Sequence, residues 1–342
     1  MKRKVSLVGM LLLLVFFVVA CGGNASTSRP SANGSASGQQ AGSSGEPAAT
    51  ENLPSAAEKS QQPTEVLVPH QLGETSVPVN PGKVVVFDFG ILDTLDLLGG
   101  EVAALPKENV PPYLAQYRDD KYVNAGTLQE PDFEALSALD PDLIIISGRT
   151  ATHYEALSEL APTIYMALDF QDYMGSFKRN MEYIGKIFQK EEQVAAELRK
   201  IDDLVAVVRS KVEATDKKAL ILLSNDKAIS AYGPGSRFAL IHDVLGFPAA
   251  DETIEVSTHG QQVSFEYVKE KNPDYIFVID RAAVVSGGGQ PAKDTFNNDL
   301  VKATNAYKNG KIIYLDPNYW YLSGGGLVSV SEMIREVAAA VE

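Results

Sequence analysis

Two stretches of the chain carry the same pattern at a constant offset of 132 positions. Residues 133–149 read FEALSALDPDLIIISGR and residues 265–281 read FEYVKEKNPDYIFVIDR. Each opens on Phe-Glu, places Pro-Asp eight residues after the Phe, runs through an apolar stretch and closes on an arginine seven residues after the Asp. The pattern is that of a helix, a Pro-containing turn, a buried strand and a cation at the strand's C-terminal end. An unbroken apolar strand needs cover on both faces, which a parallel α/β sheet supplies. Two copies therefore imply two α/β lobes, each with an arginine where open sheets of this kind bind ligands. Arg149 and Arg281 are the first two candidate binding residues.

The rest of the body fits that frame. Val84–Phe87 and Leu143–Ile146 read as buried strands in the first half, and Ala219–Leu223, Tyr275–Ile279 and Ile312–Leu315 in the second. Between them, residues 172–213 carry no strand signal. Val194, Leu198, Ile201, Val205 and Val208 recur every three or four residues, the stripe of a long helix. The predicted fold class is α/β, two Rossmann-like lobes (64–171 and 214–342) joined by a helical spine (172–213).

The first 63 residues read differently. Lys2, Arg3 and Lys4 precede a mostly apolar run from Val5 to Ala20, too short for a membrane span and proportioned like a signal peptide. The run ends Val18-Val19-Ala20-Cys21, similar to the bacterial lipobox, and Cys21 is the single cysteine of the chain. Residues 1–20 are read as a lipoprotein signal peptide and Cys21 as the lipid-bearing first residue of the mature protein. Residues 21–63 are dominated by Ser, Gly, Ala, Asn and Gln. They are read as a flexible tether, with an expected random-coil reach of ~35 Å.

Charge and missing motifs exclude whole classes of function. The chain has 30 basic and 44 acidic residues; removing the five and three of the first 63 leaves 25 and 41, a net charge of -16. Such a body is a poor partner for nucleic acid. One cysteine rules out a CxxC-type zinc or redox site, and four scattered histidines argue against a histidine metal cage. No GxSxG, GxxxxGK[ST] or HExxH occurs, so no enzymatic site and no cofactor are predicted. Gly233-Pro234-Gly235-Ser236-Arg237 reads as a tight turn into a helix, Ser236 as N-cap and Arg237 beside exposed N–H groups. Ser323–Gly326 either lets a ligand approach the backbone or opens the last helix.

Several long stretches resemble a known family: KVVVFDFGILDTLDLLG, PDLIIISGR, SAYGPGSRFALIHDVLGFPAADE, VSTHGQQVSFEY and NYWYLSGGGLVSVSEMI. Over residues 64–342 the chain is similar to the class III substrate-binding proteins of ATP-binding-cassette importers, especially the petrobactin-binding siderophore lipoproteins of bacilli. The resemblance implies the class III periplasmic-binding-protein fold and capture of a ferric siderophore, petrobactin or another catecholate type, for delivery to an ABC permease. It implies an arginine triad at Arg149, Arg237 and Arg281. It places His259 and an aromatic of Tyr319-Trp320-Tyr321, with Tyr321 ahead of Tyr319, beside the ligand. His259 and Tyr321 would ligate iron only when the siderophore leaves two sites open, so no direct metal ligand is required. Glu134 and Glu266 match the acids that dock each lobe onto the permease. A monomer at the outer face of the cell membrane is expected. Haem, cobalamin or a bare metal ion would be the alternative ligand of the same fold, and a tethered hydrolase the alternative of another class.

Overall fold

The computed structural model describes residues 64–285 and 290–341. The signal peptide, Cys21 and the tether lie outside the described residues.

The described chain opens with an antiparallel hairpin, β1 (Glu65–His70) and β2 (Gly73–Pro78). It continues into a five-stranded sheet ordered β5-β4-β3-β6-β7. Its members are β3 (Val84–Val86), β4 (Ala104–Leu105), β5 (Val123–Asn124), β6 (Leu143–Ile146) and β7 (Thr163–Tyr165), and every pairing is parallel. A second sheet is ordered β10-β9-β8-β11-β12, with β8 (Ala219–Asn225), β9 (Ala228–Tyr232), β10 (Gln261–Val263), β11 (Tyr275–Asp280) and β12 (Ile312–Leu315). Here β8, β11 and β12 are parallel, whereas β9 and β10 run antiparallel to their neighbours. Strands β3, β6 and β11 are buried along nearly their whole length, as their apolar runs require.

The sequence repeat is a structural repeat. Phe133–Leu139 and Phe265–Lys271 are seven-residue helices, capped by the side chains of Asp132 and Ser264. Both end in a left-handed residue, Asp140 (φ 54°) and Asn272 (φ 43°). The following Asp then ties the cassette to the neighbouring strand. Asp142 accepts from the Lys83 N–H at 2.8 Å and Asp274 from the Lys218 N–H at 3.1 Å, each just before a central strand.

The connecting run is two helices rather than one. Tyr173–Ile187 and Glu191–Glu213 are separated at Gln189, whose φ of 53° breaks the helix. The two fold back on each other: Lys178 pairs with Asp202 at 2.7 Å, and at Gly185 an added Cβ would stand 3.3 Å from Val194 and Glu191. The apolar stripe falls on the 23-residue second helix, where Val194, Leu198, Ile201 and Val208 are buried.

The last helix, Leu327–Ala340, packs against Phe89–Leu98 of the first lobe and against Glu191–Glu213. Its entry is tight. A Cβ on Gly326 would lie 2.0 Å from both the Asp93 carboxylate and the Gly90 carbonyl, so only glycine fits. Residues 316–326 thus form a second crossing between the lobes, and the Ser323–Gly326 run opens that helix.

Candidate functional site

Arg149 follows β6, Arg281 follows β11, and Arg237 sits on the turn after β9. All three reach one residue on the second crossing, Tyr321. Their guanidinium carbons lie 5.5 Å (Arg149), 4.4 Å (Arg237) and 5.6 Å (Arg281) from the centre of its ring. Arg149 donates to the carbonyls of Tyr321 (2.6 Å) and Leu322 (3.2 Å), and Arg237 donates to the same Tyr321 carbonyl at 2.6 Å. Arg281 donates through Nε to the Tyr321 hydroxyl at 2.8 Å and through Nη1 to the Asn225 side-chain carbonyl at 2.9 Å.

Every acceptor in this cluster is neutral. No carboxylate pairs with any of the three guanidiniums among the described residues. Desolvation and then the charge of Arg149 lower the Arg237 pKa to about 10. For the Tyr321 phenol, burial acts upward, but the hydrogen bond from Arg281 and the charges of the three arginines together pull it below its ordinary value. Three arginines carry fifteen N–H donors, and five are engaged here. What remains is a concentrated positive site with free donors, suited to an oxygen-rich anion.

The three aromatic neighbours fan out in different directions, because they sit on one tight helical turn, Asn318–Ser323. Tyr321 meets the arginines. Trp320 is 2% exposed and donates its indole N–H to Glu336 at 2.6 Å, so it is a core residue with a satisfied polar edge. The Tyr319 ring packs on Tyr113 with centroids 4.7 Å apart. Neither is brought to the arginine cluster. His259 is exposed on the loop before β10 and makes no hydrogen bond or ion pair with the arginines. Its neighbour Gly260 lies flat on Tyr232, where a Cβ would approach the ring to 2.6 Å.

The Gly-Pro-Gly turn differs from its expected capping. Ser236 is buried and donates to the Gly233 carbonyl instead of capping a helix. Asp243 satisfies the turn, accepting from the Gly235 N–H at 2.7 Å. The hydroxyl is nearer in sequence, but the fold brings the carboxylate back from eight residues later. Glu134 and Glu266 are exposed at the first turn of the two repeat helices.

A second network stabilises the crossing that carries Tyr321. Asp93, 1% exposed, accepts from the N–H groups of Val328 (3.2 Å) and Ser329 (3.1 Å) and from the Tyr113 hydroxyl (3.2 Å). The Tyr113 hydroxyl is also 2.7 Å from Ser323 Oγ, and Tyr173 donates to the Gly324 carbonyl at 2.7 Å. Neither Asn225 nor this network was legible in the sequence, since each depends on which strand or helix lies alongside.

No group of three or more His, Cys, Asp or Glu could hold a metal ion, and no helix is long and apolar enough to cross a membrane, among the described residues. Residues 84–319 match the periplasmic binding protein family. The chain is 52% identical to the petrobactin-binding protein YclQ of Bacillus subtilis over 81% of this chain and 89% of that protein. The crystal structure of YclQ superposes with a TM-score of 0.79 at 53% identity, covering 81% of this chain and 99% of that one. The periplasmic catecholate-siderophore binding protein VctP of Vibrio cholerae gives 0.78 at 38% identity over 80% and 99%. The ferric-anguibactin-binding protein FatB of Vibrio anguillarum is 32% identical over 80% of this chain and 87% of its own. The architecture is the class III periplasmic-binding fold, and the chain belongs to the periplasmic binding protein family.

Proposed function

We propose that this protein captures a ferric siderophore, of petrobactin or another catecholate type, and hands it to an ABC permease. The observation that carries the reading is the convergence of Arg149, Arg237 and Arg281 on Tyr321 with only neutral hydrogen-bond partners. Iron(III) wrapped by three dianionic arms is a trianion, which a body at net -16 repels at long range. Only a local excess of cations reverses that sign, and guanidinium forks match chelating oxygens better than ammonium groups do. The named relatives, a petrobactin-binding, a catecholate-siderophore-binding and a ferric-anguibactin-binding protein, support the same ligand class. The role is binding and delivery, with no chemical step on the ligand and no resident cofactor.

Delivery places the protein outside the cytoplasm, held to the membrane through lipid on Cys21. Glu134 and Glu266, one at the same place in each repeat, are the acids by which the monomer meets the permease. Replacing either with Ala should impair iron uptake by cells and leave affinity in solution unchanged.

Calorimetric titration with ferric petrobactin, a ferric tris-catecholate, haem and cobalamin tests the ligand class. Binding of the ferric anions alone is expected; tighter binding of haem or cobalamin would overturn the reading.

A further inference from the structure

Strand β8 ends at Asn225 and its parallel partner β11 ends at Asp280, in register Ser224 to Asp280. That register sets Asn225 beside Arg281, whose N–H donates to the Ser224 carbonyl at 2.9 Å. The Asn225 amide oxygen accepts from Arg281 Nη1 at 2.9 Å while the Tyr321 hydroxyl takes Nε at 2.8 Å. Two acceptors along the guanidinium fix its plane and leave Nη2 free. The neighbouring acid does not share this task, because Asp280 accepts from the N–H groups of Ala283 (3.3 Å) and Ala292 (2.8 Å). The usual partner of an arginine fork is a carboxylate. Here an amide fills that place.

We infer that Asn225 is a positioning residue that sets the charge selectivity of the cleft: it orients Arg281 with a neutral acceptor, so the guanidinium stays uncompensated for an anionic iron(III) chelate. This rests on the arginine cluster being the binding site. An aspartate would hold the guanidinium equally well and place a negative charge in the site. The charge role and a merely structural role therefore rank two variants in opposite orders. If only geometry matters, Asn225→Asp is milder than Asn225→Ala; if neutrality matters, Asn225→Asp is worse.

The test titrates ferric petrobactin into wild type, Asn225→Asp, Asn225→Ala, Asn225→Gln and Arg281→Ala, with thermal unfolding as the check on folding. We expect Asn225→Asp to lose about 10- to 100-fold in affinity and Asn225→Ala about three- to tenfold. The Asp penalty should shrink as salt is raised, because its origin is a charge at the mouth of a solvated cleft. Asn225→Gln, neutral but longer, should fall with Ala rather than with Asp. If Asn225→Asp binds as tightly as Asn225→Ala or tighter, the inference is wrong. If Arg281→Ala binds as wild type does, the binding-site reading itself has failed, a result distinguishable from the first.

Discussion

The two lobes repeat one helix-turn-strand cassette but contribute unequally to the site. The first sheet is parallel throughout and supplies Arg149 alone. The second inserts the antiparallel strands β9 and β10, and the turn after β9 brings Arg237 onto the Tyr321 carbonyl that Arg149 also reaches. Their supports differ as well. Arg149 is fixed by two carbonyls of the crossing segment, whereas Arg281 is fixed by side chains of its own lobe and of that segment. The repeat alone thus yields two opposed arginines, and the turn after β9 adds the third. The lesson is that pseudo-symmetry predicts where cations sit but not how many or how they are supported.

The largest contrast between the lobes lies in two buried acids. Burial raises the Asp93 carboxyl to about 7, outweighing the hydrogen bonds from Ser329, Val328 and Tyr113. In the second lobe, Asp251 is held far below the usual range, first by the Thr253 hydroxyl and then by Lys271, whose Nζ is 2.9 Å away. The signs are opposite. The native state keeps a proton on Asp93 where the unfolded chain would not, so its contribution is full and level below about pH 4, falls as pH rises to 7 and is level above. Asp251 contributes above the unfolded carboxylate value and loses that contribution as pH falls below about 4. Denaturant unfolding across pH 3 to 8 should therefore show an Asp93-dependent decline on the order of 4 kcal/mol between pH 4 and 7. Asp93→Asn should flatten that limb, and Asp251→Asn should flatten only the acid limb. Parallel curves for Asp93→Asn and wild type would remove the contrast.

The second contrast is in ligand affinity. Each hydrogen bond to a charged group contributes about 1.5–3 kcal/mol when desolvated, so Arg→Ala at any of the three should weaken ferric-siderophore binding by about 10- to 150-fold. Arg149 is the only member from the first lobe, and its loss leaves one jaw without a cation. Its Ala variant should fall at the upper end of that range, and Arg237→Ala and Arg281→Ala at the lower end. The Arg237/Arg281 double variant should lose less than the product of the singles, because both act on one anion. Equal losses at all three positions would show that the asymmetry of the lobes has no energetic meaning. Arg→Lys should restore only part of the loss.

Much of this was readable before any coordinate. Continuous apolar runs such as Leu143–Ile146 have few alternatives, and the repeat marks Arg149 and Arg281 by position alone. Other features escape because their causes are non-local. Phe188-Gln189-Lys190 contains neither Gly nor Pro, yet Gln189 takes φ 53° where Asn80 meets its side chain at 2.7 Å. Ala-Ile-Ser-Ala-Tyr has too little apolar bulk to announce β9 as a strand, and pairing with β8 decides it. Among Tyr319, Trp320 and Tyr321, composition cannot say which ring meets the arginines. The turn geometry of residues 318–323 does, sending Trp320 to Glu336 and Tyr319 to Tyr113. Asn225 becomes visible only because the register of Ser224 with Asp280 sets it beside Arg281.

The smallest effect concerns the cassettes themselves. Asp142 accepts from two backbone donors, Gly82 N–H at 2.9 Å and Lys83 N–H at 2.8 Å. Its counterpart Asp274 accepts from the Lys218 N–H at 3.1 Å and the Asn305 amide at 3.3 Å. Both staple the start of a central strand to the turn before its neighbour, but the first does so with shorter bonds to backbone groups that have no other side-chain partner. Both carboxylates are at least partly in water, which trims the contribution of each bond below its buried value. Asp142→Ala should destabilise by about 1–2 kcal/mol and Asp274→Ala by about 1 kcal/mol, read as midpoint shifts in urea at an unchanged slope. Asn should recover part of the loss at both positions, since an amide oxygen still accepts from the backbone. Neither change should alter ligand affinity, because these carboxylates sit at the amino ends of the strands and the arginines at the opposite ends. A larger loss at Asp274 than at Asp142 would mean that the second copy, not the first, depends more on its staple, and the ranking of the lobes would reverse.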